Sequence, residues 1–277
     1  IFRSGAWYEG YFENNSITGK GIFSYASNSK YVGQFVKNKK HGKGKFVWPN
    51  GNQYVGQFQS DNMCGFGDMR YSSGHRYIGA WKDNKKHGKG IFTFADGNIY
   101  DGEFSRDVIQ GHGKMTFHPN SLLEESYDGE WAHGRRHGFG IYTYNAREGS
   151  VYEGQWVDGV RHGVGMLKLK DGSIYKGDFM YEKMTGHGVY IWPDGSQYEG
   201  DWRDNECHGW GVYISSDGTI YSGEYRKNQK WGRGQLQYPD GNIYRGVWAN
   251  NEILGTGSYA LHVGGTDENE SSQVVKL

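Results

Sequence analysis

Proline is almost missing from this chain, with 4 among 277 residues, and there are only 2 cysteines. A collagen-like or disordered glycine-rich chain needs abundant proline and few aromatics; here 4 Pro stand beside 22 Tyr, 13 Phe and 10 Trp, which excludes both classes. Two cysteines build no disulfide framework and fit a reducing, cytoplasmic setting. Neither sign of charge prevails, at 31 basic against 31 acidic residues. That balance lacks the footprint of a dedicated nucleic-acid binder, so no nucleic acid is expected as a partner. No run of ~18 apolar residues and no signal peptide occurs, so no segment reads as membrane-spanning. Ala and Leu are scarce, which argues against a helical bundle. What the chain does have is glycine, 46 residues against a usual ~7% of composition. Together these point to an all-β chain in which glycine makes room for aromatics.

Both residue types are periodic. Tyr followed by x-Gly-x-aromatic stands at Tyr8, Tyr31, Tyr54, Tyr77, Tyr100, Tyr127, Tyr152, Tyr175, Tyr198, Tyr221 and Tyr244, spaced by 23 residues except for one step of 27 and one of 25. A Gly-x-Gly starts eleven residues after each Tyr, as in Gly42-Lys43-Gly44 and Gly209-Trp210-Gly211. Self-similarity at a fixed period marks a repeat architecture. Residues 8–264 form an eleven-unit array. Residues 1–7 read as the end of a preceding unit, because Phe2 and Gly5 occupy its last aromatic and turn-glycine places. Asp267 stands where the next Tyr is due, so the polar segment 265–277 reads as a tail or linker.

Counting from each Tyr as position 0, the Tyr, Gly and aromatic at 0, 2 and 4 share one face of a strand. Asn, Asp or Gly at position 7, as in Asn38, Asp61 and Gly134, predicts a tight hairpin turn at positions 6 and 7; Glu182 is the one poor fit. A second strand starts at Gly-x-Gly and alternates apolar residues, such as Phe46 and Trp48 or Tyr190 and Trp192, before an Asp-Gly or Pro-Asn-Gly turn. A 23-residue period is odd, and two even turns would flip every second Tyr to the opposite face. The second turn is therefore expected to hold a three-residue loop with a glycine bulge. With the first turn at 6 and 7, position 2 pairs with 11 and position 0 with 13, so each Tyr faces a Gly and its ring lies flat to stack on the next unit's ring. The fold class is all-β: an elongated, single-layer, twisted antiparallel sheet of about eleven 23-residue hairpins, roughly 105 Å long at ~4.8 Å per strand. Its unpaired end strands predict end-to-end self-association.

The stretch Tyr152 to Gly165, YEGQWVDGVRHGVG, resembles the MORN repeat almost letter for letter, and the resemblance extends over residues 1 to 264. It departs from the family pattern where the His place holds Thr18, Cys64, Gln110, Thr185, Trp231 and Leu254, which makes a catalytic role for that place doubtful. The resemblance implies a single-layer sheet of hairpins. It also implies a non-enzymatic, rigid adaptor without a cofactor, like ciliary radial-spoke-head and cytoskeletal MORN proteins, located at the cytoskeleton or the axoneme. The alternative it carries is a module binding anionic phospholipid, the targeting part of a lipid kinase or signalling protein.

The residues offer little chemistry against this background. His41, His87, His137, His162 and His208 share one repeat position. Neighbours therefore stand ~10 Å or more apart, whereas zinc needs ligands within ~2.1 Å of one point, so they read as structural and no metal is expected. Cys64 and Cys207 lie six units apart and cannot pair within one chain. Gly-x-Gly never extends to a dinucleotide fingerprint and no helix follows it. What remains is a surface. Lys37, Lys39, Lys40, Lys85, Lys86, Arg135, Arg136, Arg226, Lys227 and Lys230 crowd the first turn and predict a basic edge for anionic lipid headgroups or an acidic protein. A groove of Tyr and Trp on the other side suits a helical or extended segment of a partner protein instead.

Overall fold

The computed structural model describes residues 1–261 and 273–276. The chain divides into two compact units, Ile1–Arg147 and Glu148–Leu277. The first unit carries the hairpins β1–β2 (Trp7–Glu13, Ser16–Ser24), β3–β4 (Lys30–Val36, Lys39–Val47), β5–β6 (Gln53–Gln59, Asn62–Arg70), β7–β8 (Arg76–Lys82, Lys85–Thr93), β9–β10 (Ile99–Ser105, Val108–Phe117) and β11–β12 (Glu125–Ala132, Arg135–Thr143). The second carries β13–β14 (Val151–Val157, Val160–Lys168), β15–β16 (Ile174–Met180, Lys183–Ile191), β17–β18 (Gln197–Arg203, Glu206–Ile214), β19–β20 (Ile220–Arg226, Gln229–Gln237), β21–β22 (Ile243–Ala249, Glu252–Leu261) and a last strand β23 (Gln273–Lys276). Within each unit, successive strands pair antiparallel, as β3 does with β4 and β4 with β5. No helix occurs among the described residues. Of the segment read as a tail or linker, Gln273–Lys276 pairs with β22, which covers an edge expected to be open. The rest of residues 265–277 lies outside the described residues.

Both turns have the expected form. Lys37 and Asn38 sit at φ +48° and +66°, the left-handed pair of a two-residue hairpin turn. At the second turn the Trp48 amide donates to the Asn52 carbonyl at 2.9 Å and the Gly51 amide to the Trp48 carbonyl at 3.0 Å. Gly51 at φ +87° closes this three-residue loop, which supplies the odd count the period demands. Phe2 to Ala6 closes the same loop ahead of β1.

The pairing between the turns differs from the sequence expectation. Gly33 faces Gly44, position 13, and Tyr31 faces Phe46, because the register shifts between Gly33 and Gln34 and leaves Gly42 and Lys43 looped out. The first glycine of Gly-x-Gly therefore serves the bulge. Gly42 has φ +61°, and the Gln34 side chain, whose Oε1 accepts the Lys43 amide at 3.1 Å, fills the space a Cβ would need. Asp178, Asp201 and Glu224 cap the equivalent amides of His187, Trp210 and Arg233, which explains the Gln, Asp and Glu at position 3. The second glycine makes room for the ring. Tyr31 lies over Gly33 and Gly44, and its hydroxyl donates to the Gln34 carbonyl at 3.0 Å.

The rings do not stack flat on one another. Tyr31 meets Phe35 at 5.0 Å and Phe58 of the next hairpin at 5.1 Å, both nearly perpendicular. Edge-to-face contact puts a positive ring edge against a negative face, which a parallel stack cannot do. The alternation continues through Tyr54, Trp81, Tyr77 and Phe104 in the first unit and through Tyr152, Phe179, Tyr175, Trp202 and Tyr198 in the second. Nine of these tyrosines, from Tyr31 to Tyr221, are 0 to 1% exposed. The ladder is the core of a sheet that has no second layer.

Position 7 does more than turn the chain. Asp61 accepts the Lys40 amide at 2.9 Å, and its own amide donates to the Lys40 carbonyl at 3.0 Å, so each turn is stapled to the preceding hairpin. Glu182 keeps this role despite φ +71°, a conformation that disfavours a long side chain. Its Oε1 accepts the Arg161 amide at 2.8 Å, and its Oε2 the Arg161 Nε at 2.6 Å. The Arg161 side chain is only 15% exposed. Glu182→Ala is therefore expected to cost about 1–2 kcal/mol by leaving a half-buried guanidinium unpaired. Urea unfolding measures it, and adding Arg161→Met should recover most of the loss. No recovery would mean that the backbone, not the ion pair, holds this turn.

Candidate functional site

Register decides which side chains share the aromatic face. In a two-residue hairpin the position-4 aromatic stands opposite position 9, as Phe35 does opposite Lys40 and Trp202 opposite Cys207. Position 9 therefore points to the same face as the Tyr ladder. In the first unit it alternates apolar and basic residues: Ile17, Lys40, Met63, Lys86, Ile109 and Arg136. In the second it reads Arg161, Met184, Cys207, Lys230 and Ile253.

The cations at these places lie over rings rather than in water. Lys86 Nζ stands 4.7 Å from the Phe92 ring centre, Arg136 Cζ 5.1 Å from Tyr142, and Lys230 Nζ 4.9 Å from Tyr221. Burial lowers the pKa of both Lys86 and Lys230, because the ring surroundings cannot solvate an ammonium as water does. Lys40 has Asp61 at 3.4 Å, whereas among the described residues no carboxylate pairs with Lys230.

The second unit opens a groove of about 430 Å³ beside this ammonium. Met184, Cys207, Tyr225 and Lys230 line it together with Tyr190, Trp192 and Tyr213. Trp192 meets Tyr190 at 4.7 Å and Tyr213 at 5.6 Å, so the second-strand aromatics continue the apolar surface outward from the ladder. Asn205 and Asn228 border the groove, but their Oδ1 atoms already accept the Met184 and Cys207 amides. Burial pushes the Cys207 thiol up to about 12 and raises Tyr198 and Tyr225 further still. Flat apolar rings with one cation match the anchors of protein recognition.

The MORN-repeat pattern matches ten successive stretches, residues 8–30, 31–53, 54–76, 77–99, 100–121, 127–146, 152–174, 175–197, 198–220 and 221–243. The chain belongs to the MORN-repeat family. The hairpin β21–β22 adds an eleventh unit of the same build. MORN repeats form a module for protein interaction or membrane binding. No curated protein matches the chain. Among solved structures it is similar to the TCP10 domain of Danio rerio CPAP in complex with a STIL peptide, at 14% identity and TM-score 0.45, with 81% of this chain and 97% of that one covered. It is also similar to the SAS-4 (dCPAP) TCP domain of Drosophila melanogaster in complex with a proline-rich motif of Ana2, at 12% identity and TM-score 0.32, covering 68% and 83%.

The basic residues expected along one edge of this MORN array part into two sets. Lys37, Lys39, Lys85, Arg135, Arg226 and Lys227 are exposed at the first turns. Lys40, Lys86, Arg136 and Lys230 are half-buried on the aromatic face. Charge counted by sequence proximity merged them, although position 8 and position 9 point to opposite faces. The position-9 residues Met184 and Cys207 are the groove members that motif reading missed. Their signal was available, because a turn at positions 6 and 7 already pairs 4 with 9. The His set lies one position further on, off the ladder face, and no metal-binding cluster forms among the described residues.

Proposed function

We propose that this MORN array is a non-enzymatic scaffold that holds a segment of a partner protein on its aromatic face, with the groove at Trp192 as the seat. The observation that carries the reading is the partly open set Tyr190, Trp192 and Tyr213, which lines a 430 Å³ hollow together with Met184, Cys207 and Lys230. Interfaces concentrate their energy in aromatic anchors that leave water for an apolar pocket. The resemblance to radial-spoke-head and cytoskeletal MORN proteins supports placing the partner in an axonemal or other cytoskeletal assembly, where a repeat sheet serves as an adaptor.

Photocrosslinking at Tyr213, followed by affinity measurement with the recovered partner, tests this. Trp192→Ala is expected to weaken that partner at least about tenfold, the scale of an aromatic hot spot. Trp210→Ala, on the opposite face and 55% exposed, should leave the affinity unchanged. A partner held equally well by both variants would overturn the reading. So would binding to anionic vesicles that Trp192→Ala alone abolishes.

A further inference from the structure

The face turned away from the ring ladder carries a second, differently built surface. Along β2–β8 its outward positions hold exposed Lys20, Lys30, Lys43, Lys45, Lys82 and Lys89. None of these ammonium groups forms an ion pair among the described residues. The one carboxylate at these positions, Asp68, is taken by Arg76 through two hydrogen bonds of 3.0 and 2.8 Å. Glu9 on β1 and Asp101 and Glu103 on β9 bound the patch, so a chain of zero formal net charge segregates its charge here.

Apolar side chains stand between the lysines. Phe66 is 63% exposed and Val55 52%. Two hollows of about 520 and 460 Å³ lie in this face. The first is lined by Lys20, Ile22, Val32 and Gln34 and reaches Lys43. The second runs from Lys43 past Val55 and Gln57 to Phe66, so it is the same hollow one repeat along the sheet. The equivalent hollow further along holds Asp101, Glu103 and Asp128 beside Lys89, His112 and Lys114, so from β9 onward carboxylates share the lining with the lysines.

We propose that the ladder-averse face of β2–β8 is a docking surface for an acidic amphipathic helix of a partner protein. Charge complementarity selects the acid, since uncompensated lysines steer and hold carboxylates. Spacing selects the helix. Hollows one hairpin apart are two strand separations, ~9.6 Å, from each other. A helix repeats an apolar residue on one stripe every seven positions, ~10.5 Å. An extended strand shows residues to one face every ~6.8 or ~13.6 Å and cannot fill both hollows. The helix lies across the strands, apolar stripe in the hollows and glutamates or aspartates against Lys20, Lys43 and Lys89. This surface is separate from the groove at Trp192 and does not depend on it.

The test titrates the full chain into a fluorescein-labelled helical peptide with Leu at heptad spacing among Glu and Ala, beside a twin with Lys for Glu and vesicles containing phosphatidylserine. The acidic peptide is expected to bind and the basic twin not. Reversing four charges in the Lys20→Glu, Lys43→Glu, Lys45→Glu, Lys89→Glu variant should weaken binding about 30-fold, the product of four modest exposed pairs. Far-UV circular dichroism should be unchanged, because all four side chains are exposed. Phe66→Ser should weaken binding about fivefold without altering its salt dependence. Trp192→Ala should leave it untouched, so failure here and failure of the groove reading are told apart. An acidic peptide that does not bind, or binds the reversed variant equally, overturns the proposal. Vesicles that bind through these lysines while the peptide does not would assign the face to a bilayer and overturn it as well.

Discussion

Raising the pH past 10 is expected to unfold the sheet within about one to two pH units. The cause is the ring ladder. Burial raises the pKa of Tyr31, Tyr54, Tyr77, Tyr100, Tyr127, Tyr175 and Tyr198 well above the ordinary 10.0, and that of Tyr221 to about 12. A folded tyrosine therefore keeps its proton where an unfolded one releases it. The stability so contributed is whole below pH 10 and drains away as the pH climbs toward the folded values. Each such group costs about 1.4 kcal/mol per pH unit in that window, and eight acting together on the order of 10 kcal/mol per unit. Typical domains have only ~5–15 kcal/mol to lose. Lys86 and Lys230 work the other way, since their pKa values are lowered and stability rises with pH while the unfolded chain still holds protons the folded state has released, a gain complete once the pH passes the ordinary 10.5. Two lysines do not offset eight tyrosines. Tyrosinate absorbance and far-UV circular dichroism, followed together, decide the matter: the ladder tyrosines should ionise in the same step that loses the sheet. Ionisation one by one near pH 10 with the sheet intact would show that the rings are not sealed.

Gly44→Ala is expected to destabilise the hairpin β3–β4 by about 3 kcal/mol or more, the upper range of overpacking in a closed core. An added Cβ would fall within 2.3 to 2.5 Å of Tyr31 Oη, Cε2 and Cζ. The ring has nowhere to retreat. Phe35 and Phe58 close its flanks at 5.0 and 5.1 Å, and its hydroxyl is tied to the Gln34 carbonyl at 3.0 Å. Gly97→Ala is the comparison. Gly97 has φ +91° and nothing within 4 Å of its would-be Cβ. Its cost is conformational alone, ~1 kcal/mol. Hydrogen exchange of β3 and β4 amides, with urea unfolding of each variant, separates the two. Equal costs would show that the glycine row is required by turn geometry only, and that the ring does not rest on it.

The two glycines of Gly-x-Gly show where reading the chain alone stopped. Their periodicity located every hairpin, and the odd period located the three-residue turn that Gly51 closes. Counting outward from the first turn, as if the ladder were continuous, pairs Gly33 with the first glycine and Tyr31 with the second, whereas in the structure Gly33 faces the second glycine and Tyr31 faces Phe46. The bulge at Gly42 and Lys43 intervenes. Groups of the same hairpin hold it: the Gln34 side chain caps the loosened Lys43 amide across the hairpin, and the Tyr31 hydroxyl caps the Gln34 carbonyl. Glu182 teaches the same lesson from the other side. Judged by turn propensity it is a poor residue, and judged by its partner Arg161, twenty-one positions earlier, it is well placed.

Sequence alone therefore determined the repeat, the strand and turn order, the face that holds the rings and the membership of the MORN family, because all of these depend on periodicity and local backbone preference. Only the tertiary structure decided the bulge, the edge-to-face ladder and the groove at Trp192. Each of those depends on which hairpin's side chain lands against its neighbour, and packing between repeats is set by register across strands, which a period within one repeat does not contain.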